Sequence, residues 1–395
     1  MSRRTVLPGA TSADGRPATL GVMGGGQLGR MFVQAAQRMG YLTAVLDPDP
    51  TSPAGLVSPY HIQTDYLDEQ GLAQLMQRSS AITTEFENVP AAALVTLGAQ
   101  RPVAPGADAV AICQDRAMEK THFARCGVAC APHAVIETAA QLAAVDPALL
   151  PGILKTSRLG YDGKGQIRVA TDQALAAAWQ DLKEAPCVLE ALLPLAHEIS
   201  VVLARSSQGD IVNFPVQENL HRDGILAVTQ VPAPHVSVAV QEQAVQAAHA
   251  IAESLGYVGV LCVEFFVLTD GRLVANEMAP RPHNSGHYTI DACDVSQFDL
   301  QVRTLAGLPV VAPTLLAPAV MINLLGDIWF DAAGQTRNPP WAAVLALPGV
   351  HLHLYGKLSA RRGRKMGHLT VTAGDAQTAR TPSGPRRERL GIASF

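Results

Sequence analysis

The sequence predicts a fold that combines α/β and α+β regions, with a parallel unit first and an antiparallel region after it. A strand, a glycine-rich turn and a helix follow one another over residues 18–39. Strand-like segments then dominate residues 152–277, and a smaller region begins near residue 315. Strands that alternate with helices favour a parallel sheet, whereas successive strands favour an antiparallel one. The 395 residues exceed one ordinary core, so we expect several domains.

Hydrophobic periodicity locates the individual elements. In the opening unit we expect strands at 18–23, 43–46 and 81–84, with a helix at 30–39. The antiparallel region has a helical pattern at 241–255 and a hairpin that turns at residues 269–272. A further helix is expected at 115–126, and the other strand candidates are 152–155, 166–169, 187–190, 199–204, 211–215, 259–268 and 273–277.

Composition excludes several classes of protein. The hydrophobic fraction of 48% and the charged fraction of 16% are typical of globular proteins. The net charge of −4 argues against nucleic acid or a membrane surface as a partner. None of the six cysteines forms a C-x-x-C pair, and no apolar run is long enough to span a membrane. We therefore expect free thiols, no zinc site built on cysteine, no signal peptide, a cytoplasmic location and a loose extension at residues 1–17.

The glycine-rich opening leaves several interpretations open. Gly24, Gly26 and Gly29 stand between a strand and a helix, where backbone amides can bind a phosphate. Asp47 follows where a dinucleotide fold would hold a ribose. Considered alone, the motif is compatible with a dinucleotide site, another phosphate ligand or a tight turn.

Two carboxylates interrupt apolar strands that form the predicted hairpin. Glu264 and Glu277 lie on adjacent strands, and Asn276 adds a neutral oxygen beside them. A buried carboxylate must be paired, hydrogen-bonded or metal-bound, and Mg²⁺ prefers oxygen ligands. The alternative is a pair of carboxylates that face solvent.

A second glycine-rich loop follows the strand that ends at Lys155. Gly160, Gly163 and Gly165 surround Lys164, which is typical of a flap that closes over phosphates. An ordinary glycine hairpin with a solvated lysine is equally compatible with the pattern.

Several segments in a fixed order carry a family resemblance. They are GGGQLGRM, TEFENVP, a lysine strand followed by GYDGKGQ, then NLHRDGIL, E…NE, PRPHNSGH and YGK…RGRKMGH. Over residues 18–373 they resemble the 5-(carboxyamino)imidazole ribonucleotide synthase family of the ATP-grasp superfamily. The resemblance implies an ATP-grasp fold with a Rossmann-like pre-ATP-grasp domain at 18–112, an ATP-grasp domain at 113–312 and a small C-terminal domain at 313–395. It implies no nicotinamide.

The resemblance also implies ligands and site residues. Mg²⁺ would be held by Glu264 and Glu277. The residues implied in ATP binding are Arg116, Lys155, Gly160, Tyr161, Asp162, Gly163, Lys164, Gly165, Gln166, Glu190, Ala191, Leu192, Leu193, Glu198, His221, Asn276 and Glu277. Those implied in catalysis are Tyr161, Asp162, Lys164, His283 and Asn284. Those implied in binding the ribonucleotide are Gly26, Gln27, Leu28, Glu85, Lys357, Arg361 and Arg364.

The implied reaction joins bicarbonate to 5-aminoimidazole ribonucleotide with hydrolysis of ATP. Bicarbonate is first phosphorylated to carboxyphosphate, and the amine then captures that carbon or the CO₂ released from it. His283 could cap a loop, orient bicarbonate or move a proton. His287 is expected to be structural, and His122 and His249 to be surface or packing residues. The resemblance further implies a homodimer.

Other functions remain to be weighed against this one. A different ATP-grasp ligase, such as formate-dependent glycinamide ribonucleotide transformylase or biotin carboxylase, is one alternative. A dehydrogenase or a nucleotide sensor built on the opening loop is another. By charge alone, the basic run around Arg361 is a solvated loop, because Gly356 and Gly363 oppose a helix. The tail at 375–388 departs from the family pattern and is expected to be mobile.

Overall fold

The N-terminal domain has a parallel α/β architecture. The structure is a computed structural model that describes residues 5–11, 15–160 and 164–375. The elements of this domain are β1 Thr19–Met23, α1 Gln27–Arg38, β2 Leu42–Leu46, β3 Tyr60–Ile62, α2 Glu69–Arg78, β4 Ala81–Thr84, α3 Ala91–Gly98 and α4 Ala107–Cys113. The sheet order is β3-β2-β1-β4, and its pairs are parallel. All five residues of β1 are buried, as expected for a central strand of a parallel sheet.

A small antiparallel sheet carries the lysine strand. Its elements are α5 Arg116–Arg125, β5 His133–Ile136, α6 Ala139–Ala143, β6 Gly152–Thr156, β7 Gln166–Val169, α7 Asp172–Asp181 and β8 Cys187–Ala191. The strand order is β5-β8-β6-β7, so β8 lies directly beside β6 although 30 residues separate them in sequence. Leu175 and Trp179 of α7 pack on the sheet and bury its apolar face.

The largest sheet joins the ATP-grasp region to the C-terminal region. Its strands are β9 Leu195–Arg205, β10 Ile211–Asn213, β11 Gln217–Arg222, β12 Ile225–Val231, β13 Gly259–Leu268, β14 Leu273–Ala279, β15 Ala319–Leu325, β16 Val350–Leu354 and β17 Lys365–Thr372. The order is β14-β13-β9-β11-β12-β15-β17-β16, and β10 pairs with β9. Because β15 pairs with β12, the C-terminal strands extend this sheet. The helices of this part are α8 Val238–Ser254, α9 Thr289–Ala292, α10 Gln297–Ala306 and α11 Trp341–Leu345.

Helix α10 fixes the N-terminal domain against the large sheet. It begins at a capping box between Ser296 and Asp299 and ends at Gly307, whose φ is 69°. Phe298 and Val302 enter the core formed by α1 and β1, and helix α10 also contacts β13 and β9. Helix α10 therefore packs between the N-terminal domain and the large sheet.

Part of the predicted extension is held against the body of the protein. The Val6 amide donates to the carbonyl of Ala306 at 2.8 Å, and the Tyr41 hydroxyl donates to the carbonyl of Val6 at 2.6 Å. The extension, which was predicted to be loose over residues 1–17, is therefore anchored at Val6. The expected mobile tail falls almost entirely on residues 376–388, which lie outside the described residues.

Most predicted elements are present, with shifted ends. The strand predicted at 211–215 ends at Asn213, and the one predicted at 273–277 continues to Ala279. All six cysteines are free, as predicted. Within the described ranges, no helix is both long enough and apolar enough to cross a membrane.

Candidate active site

A cleft of about 1220 Å³ lies where the three sheets meet. Pockets for one small ligand occupy roughly 300–1,000 Å³, so the cleft has room for more than one. It is lined by residues from all three domains that were implied in binding or catalysis. These are Gly26, Gln27, Leu28, Glu85, Arg116, Lys155, Gly160, Lys164, Gln166, Glu198, His221, Glu264, Asn276, Glu277, His283, Asn284, Lys357 and Arg364.

Glu264 and Glu277 face each other across the β13–β14 pair. They are direct partners in the antiparallel register, and the side chain of Glu264 is buried. Burial and the neighbouring Glu277 charge raise the pKa of Glu264 to about 7, although His221 acts in the opposite direction. The solvent-facing alternative therefore fails for Glu264. Glu264 is therefore a buried carboxylate beside a second one, which a bound cation would stabilise.

A β-bulge adds a third oxygen to the carboxylate pair. Glu264 pairs with Glu277 while Phe265 pairs with Ala275, so Asn276 is the extra residue on β14. The bulge breaks the alternation of side chains, and Asn276 and Glu277 both line the cleft. Among the described residues, the buried Asn276 Oδ1 has no hydrogen-bond partner. Two carboxylates with an unpartnered amide oxygen suit a divalent cation that prefers oxygen ligands.

Arg116 supplies the nearest positive charge to that pair. Asp115 caps α5 by accepting from the amides of Ala117 and Met118, and this places Arg116 at the first position of the helix. Its Nη1 lies 3.1 Å from Oε2 of Glu277. Arg116 was implied in ATP binding, and in this structure it lines the cleft with its guanidinium on the carboxylate.

Lys155 lies at the cleft wall and belongs to a buried three-residue network. Its Nζ is 2.9 Å from one oxygen of Glu190, and Lys120 Nζ is 3.0 Å from the other. Glu190 on β8 is the diagonal neighbour of Lys155 on β6, because it pairs with Ile153. Burial alone would raise the pKa of Glu190, but the two ammonium groups lower it to about 2. Glu190 therefore holds Lys155 in place.

Glu198 and His221 form an ion pair on neighbouring strands of the cleft wall. The Nδ1 of His221 lies 2.5 Å from Oε2 of Glu198. Burial acts to lower the pKa of His221, but Glu198 and the Glu264 charge raise it above its usual value. An exposed edge of this pair is available to a polar ligand, since both residues line the cleft.

His283 approaches the carboxylate pair from the loop after β14. The Ser285 amide donates to its Nδ1 at 3.3 Å, which leaves the ring proton on Nε2. Nε2 lies 3.3 Å from Oε1 of Glu264. Burial and the Arg281 charge lower the pKa of His283 well below its usual value, so the ring is neutral. The neighbouring Asn284 exchanges two hydrogen bonds with Asn323 of β15, at 3.0 and 2.6 Å.

The glycine-rich opening is folded around two carboxylates. Gly26 and Gly29 donate their amides to Glu85 at 2.9 and 3.0 Å, and Gly25 donates to Asp47 at 2.6 Å. A Cβ on Gly26 would come within 2.5 Å of the Glu85 carboxylate, which explains why glycine stands there. The amides of Gly25, Gly26 and Gly29 are therefore not free to cradle a phosphate, because side-chain carboxylates already accept from them. Glu85 instead fixes the loop at the cleft edge.

The basic run forms a loop, and it contributes unequally to the cleft. Gly356 and Gly363 have φ values of 76° and 71°, which agrees with the predicted absence of a helix. Lys357 and Arg364 line the cleft, and Arg364 Nη1 donates to the Ser359 carbonyl at 2.8 Å. Arg361 does not line the cleft among the described residues. Its backbone instead packs against Gly326.

The flap (residues 160–166) lines the cleft only in part, and residues 190–193, which were implied in ATP binding, do not line it. Gly160, Lys164 and Gln166 line it, whereas Tyr161, Asp162 and Gly163 lie outside the described residues. Of the described residues implied in ATP binding, Gly165, Glu190, Ala191, Leu192 and Leu193 are absent from the lining.

Arg281, Glu87 and Glu119 are among the charged residues at the cleft that were not predicted from the sequence. Arg281 forms an ion pair with Glu87, and both line the cleft. Glu119 is buried behind Arg116 and accepts a hydrogen bond from the Met278 amide at 2.6 Å. Burial raises the pKa of Glu119 to about 8, against the opposing effect of Arg116. The sequence showed Glu119 only as a charged residue in the first turn of the short helix α5.

Comparison with known proteins supports the whole architecture. Residues 18–114 match a ribonucleotide synthetase preATP-grasp domain, residues 121–298 an ATP-grasp domain, and residues 319–381 a phosphoribosylaminoimidazole carboxylase C-terminal domain. The chain is 43% identical over 373 residues to the N5-carboxyaminoimidazole ribonucleotide synthase of Brucella melitensis, covering 94% of this chain and 98% of that protein. The chain belongs to the N5-carboxyaminoimidazole ribonucleotide synthase family.

Solved structures of the family agree with the fold. The Staphylococcus aureus N5-carboxyaminoimidazole synthetase in complex with ADP has a TM-score of 0.86 at 36% identity, covering 96% of this chain and 98% of that one. An Aspergillus clavatus N5-carboxyaminoimidazole synthase in complex with ADP and 5-aminoimidazole ribonucleotide has a TM-score of 0.85 at 31% identity, covering 95% and 98%. These comparisons confirm the predicted ATP-grasp fold and ligase class.

Proposed function

We propose that this ligase carboxylates 5-aminoimidazole ribonucleotide with bicarbonate and ATP. The products would be 5-(carboxyamino)imidazole ribonucleotide, ADP and phosphate. The observation that carries the proposal is one cleft that is lined both by a carboxylate pair suited to a cation and by the cations Lys357 and Arg364. Relatives named for this reaction, one of them in complex with ADP and the ribonucleotide, support it.

We assign the nucleotide to the side of the cleft formed by β6, β9, β11 and β14. Lys155, oriented by Glu190, would contact its phosphates, and Glu198 would accept from its ribose hydroxyls. Lys164 would close over the phosphates with the flap and exclude water. The segment from Ala191 to Leu193 would meet the adenine once nucleotide is bound.

The carboxylate pair fits Mg²⁺. Glu264 and Glu277 would hold it, with the unpartnered Asn276 oxygen beside them. When bound, Mg²⁺ neutralises charge on the ATP phosphates during transfer to bicarbonate. Arg116, already on Glu277, would supply a second positive charge to the phosphates.

His283 and the opening loop would position the second half of the reaction. The neutral imidazole donates from Nε2 and could orient bicarbonate, while Asn284 is held by Asn323. Gly26, Gln27 and Leu28 would contact the ribonucleotide, with Glu85 holding that loop. Lys357 and Arg364 would bind its 5′-phosphate.

The proposal is tested by measuring ADP release with each co-substrate omitted. We expect full turnover only when 5-aminoimidazole ribonucleotide and bicarbonate are both present. Formate in bicarbonate-depleted buffer should not restore turnover, as it would for a formate-using ligase. Undiminished ADP release with formate would overturn the proposal. ATP with Mg²⁺ should raise the melting temperature, whereas NAD should leave it unchanged.

The assembly and location of the protein are part of the same proposal. We expect a homodimer in the cytoplasm, as the family resemblance implies. Light scattering at several protein concentrations tests the dimer, and a monomer mass throughout would exclude it.

A further inference from the structure

Two histidines and a glutamate meet on the side of the sheet that faces away from the cleft. His197 lies on β9, Glu218 on β11, and His235 between β12 and α8. His197 precedes Glu198 on its strand, and successive strand residues point to opposite faces. Because Glu218 pairs with Ile199, it shares the face of His197. Glu198 lines the cleft, so the cluster lies behind the nucleotide side of the site.

The three side chains converge on one point. The Nδ1 of His235 lies 2.9 Å and the Nδ1 of His197 lies 3.4 Å from the same oxygen, Oε1 of Glu218. One ligand atom from each of the three residues lies within 4.8 Å of the others. Two ligands bound at 2.0–2.1 Å to a tetrahedral ion lie roughly 3.3 Å apart. The two distances from Glu218 to the histidines are therefore close to the distance between two ligands of one ion.

The surrounding structure holds this arrangement in place. The rings of His197 and His235 are stacked with centroids 5.6 Å apart and planes 11° from parallel. The backbone amide of His235 donates to the second oxygen of Glu218 at 3.0 Å. The carboxylate is thus fixed by one oxygen while the other faces both imidazoles. An ion would therefore bind between the carboxylate and the two imidazoles with little rearrangement of these side chains.

We propose that His197, Glu218 and His235 bind a divalent transition-metal ion such as Zn²⁺. Two imidazole nitrogens and one carboxylate oxygen are ligands that Zn²⁺ accepts, whereas Mg²⁺ prefers oxygen. The His235 side chain is 55% exposed, so water can reach the fourth position. A bound ion would join β9, β11 and the segment before α8, and so stabilise the native sheet. The proposal stands independently of the proposed ligase activity.

The competing explanation is that the two imidazoles only donate hydrogen bonds to Glu218. The two explanations differ in Zn²⁺ affinity. His235→Gln removes one ligand from an exposed position, so the variant should fold. His351→Gln is a matched control, because the partly exposed His351 also lies near a carboxylate, 3.6 Å from Asp291, but is not one of the three residues of either metal-compatible group among the described residues.

The experiment titrates tag-free, chelator-dialysed protein with Zn²⁺, in excess Mg²⁺ so that the cleft carboxylates are occupied. We expect about one Zn²⁺ per chain in the wild type and in His351→Gln, and at least about tenfold weaker binding in His235→Gln. Co²⁺ in place of Zn²⁺ should give tetrahedral visible absorption bands in the wild type that His235→Gln lacks. Zn²⁺ should raise the melting temperature of the wild type more than that of His235→Gln.

Each other result overturns the proposal. Equal Zn²⁺ affinity in the wild type and His235→Gln, or no binding in either, leaves only hydrogen bonds at the cluster. Loss confined to His351→Gln would move the ion away from Glu218 to the neighbourhood of Asp291. Protection of all three proteins by ATP with Mg²⁺ to the same extent shows that the variants are folded.

Discussion

Two buried glutamates on neighbouring sheets of the same site have opposite electrostatic environments. Glu190 lies between Lys120 and Lys155, and their charges lower its pKa to about 2. Glu264 faces Glu277, and burial together with that charge raises its pKa to about 7. The first carboxylate is neutralised within the protein, whereas the second is not. The difference distinguishes a structural charge, which orients a lysine, from a site that binds a cation.

The largest expected effect comes from removing Glu277, one carboxylate of the β13–β14 pair. Glu277→Gln should lower kcat/KM by about a thousandfold, equal to about 4 kcal/mol, because the phosphate charge loses its counter-ion site. The variant should still fold, since its neighbour Glu264 is relieved of a like charge. Steady-state ADP release measures the first effect and the melting temperature the second. The charge-matched control is Glu242→Gln, at an exposed position on α8. Near-normal activity of Glu277→Gln would exclude Glu277 from the cation site.

Substitution of Glu190, the neutralised glutamate, should mainly lower the stability of the protein. Glu190→Gln leaves Lys120 and Lys155 buried without their counter-charge, so the free energy of unfolding should fall by about 3–4 kcal/mol. The folded pKa lies below the usual value near 4.5. The stabilisation by Glu190 is therefore present above pH 4.5 and is lost as the pH falls towards 2. Urea unfolding at pH 7 measures the difference, and an unchanged midpoint would contradict the assigned role of Glu190.

Glu264→Gln should stabilise the metal-free protein at high pH. The folded pKa of Glu264 is above its unfolded value, so the penalty is absent below about pH 4.5 and complete above about pH 7. The gain in the free energy of unfolding at pH 8 should reach roughly 3 kcal/mol at most and vanish near pH 4. Denaturant melts at both pH values measure it. Adding Mg²⁺ should stabilise the wild type but not the variant, and equal stabilisation of both would argue against a cation at Glu264.

Sequence reasoning predicted the environment of Glu264 better than that of Glu190. A charge inside the apolar strand β13, followed by a second on the hairpin partner, is a local signal that survives without a structure. The network of Lys120, Glu190 and Lys155 has no such signal, since it depends on β8 lying beside β6. Sheet order is decided by long-range packing, which periodicity does not report.

Two further features show where sequence reasoning stopped. The bulge that turns Asn276 into the cleft is a register shift, and a register is set by both strands together. The amides of the glycine-rich opening are occupied by Glu85 and Asp47, although the motif itself predicts a free anion site equally well. Glycine spacing reports close approach of a neighbour but not whether the neighbour is a ligand or a side chain.

The smallest expected effect concerns the cations that line the cleft, whose charge is opposite to that of the carboxylate pair. Arg364 lines the cleft and is held by the neutral Ser359 carbonyl, so its charge is available to an anion. Arg362 is two residues away, but it contacts Asp327 and the ring of Phe330 instead. The two arginines therefore make a matched pair in one loop.

Arg364→Ala should raise the KM for 5-aminoimidazole ribonucleotide by at least about tenfold, because losing a charge-assisted contact to phosphate costs about 1.5–3 kcal/mol. The KM for ATP should change little, since the nucleotide is assigned to the side of the cleft with Lys155. Arg362→Ala should leave both constants within about twofold, as expected for a surface ion pair. Initial rates with each substrate varied in turn provide the measurement. A rise in the KM for ATP alone would assign Arg364 to the nucleotide and overturn its assignment to the phosphate of the ribonucleotide.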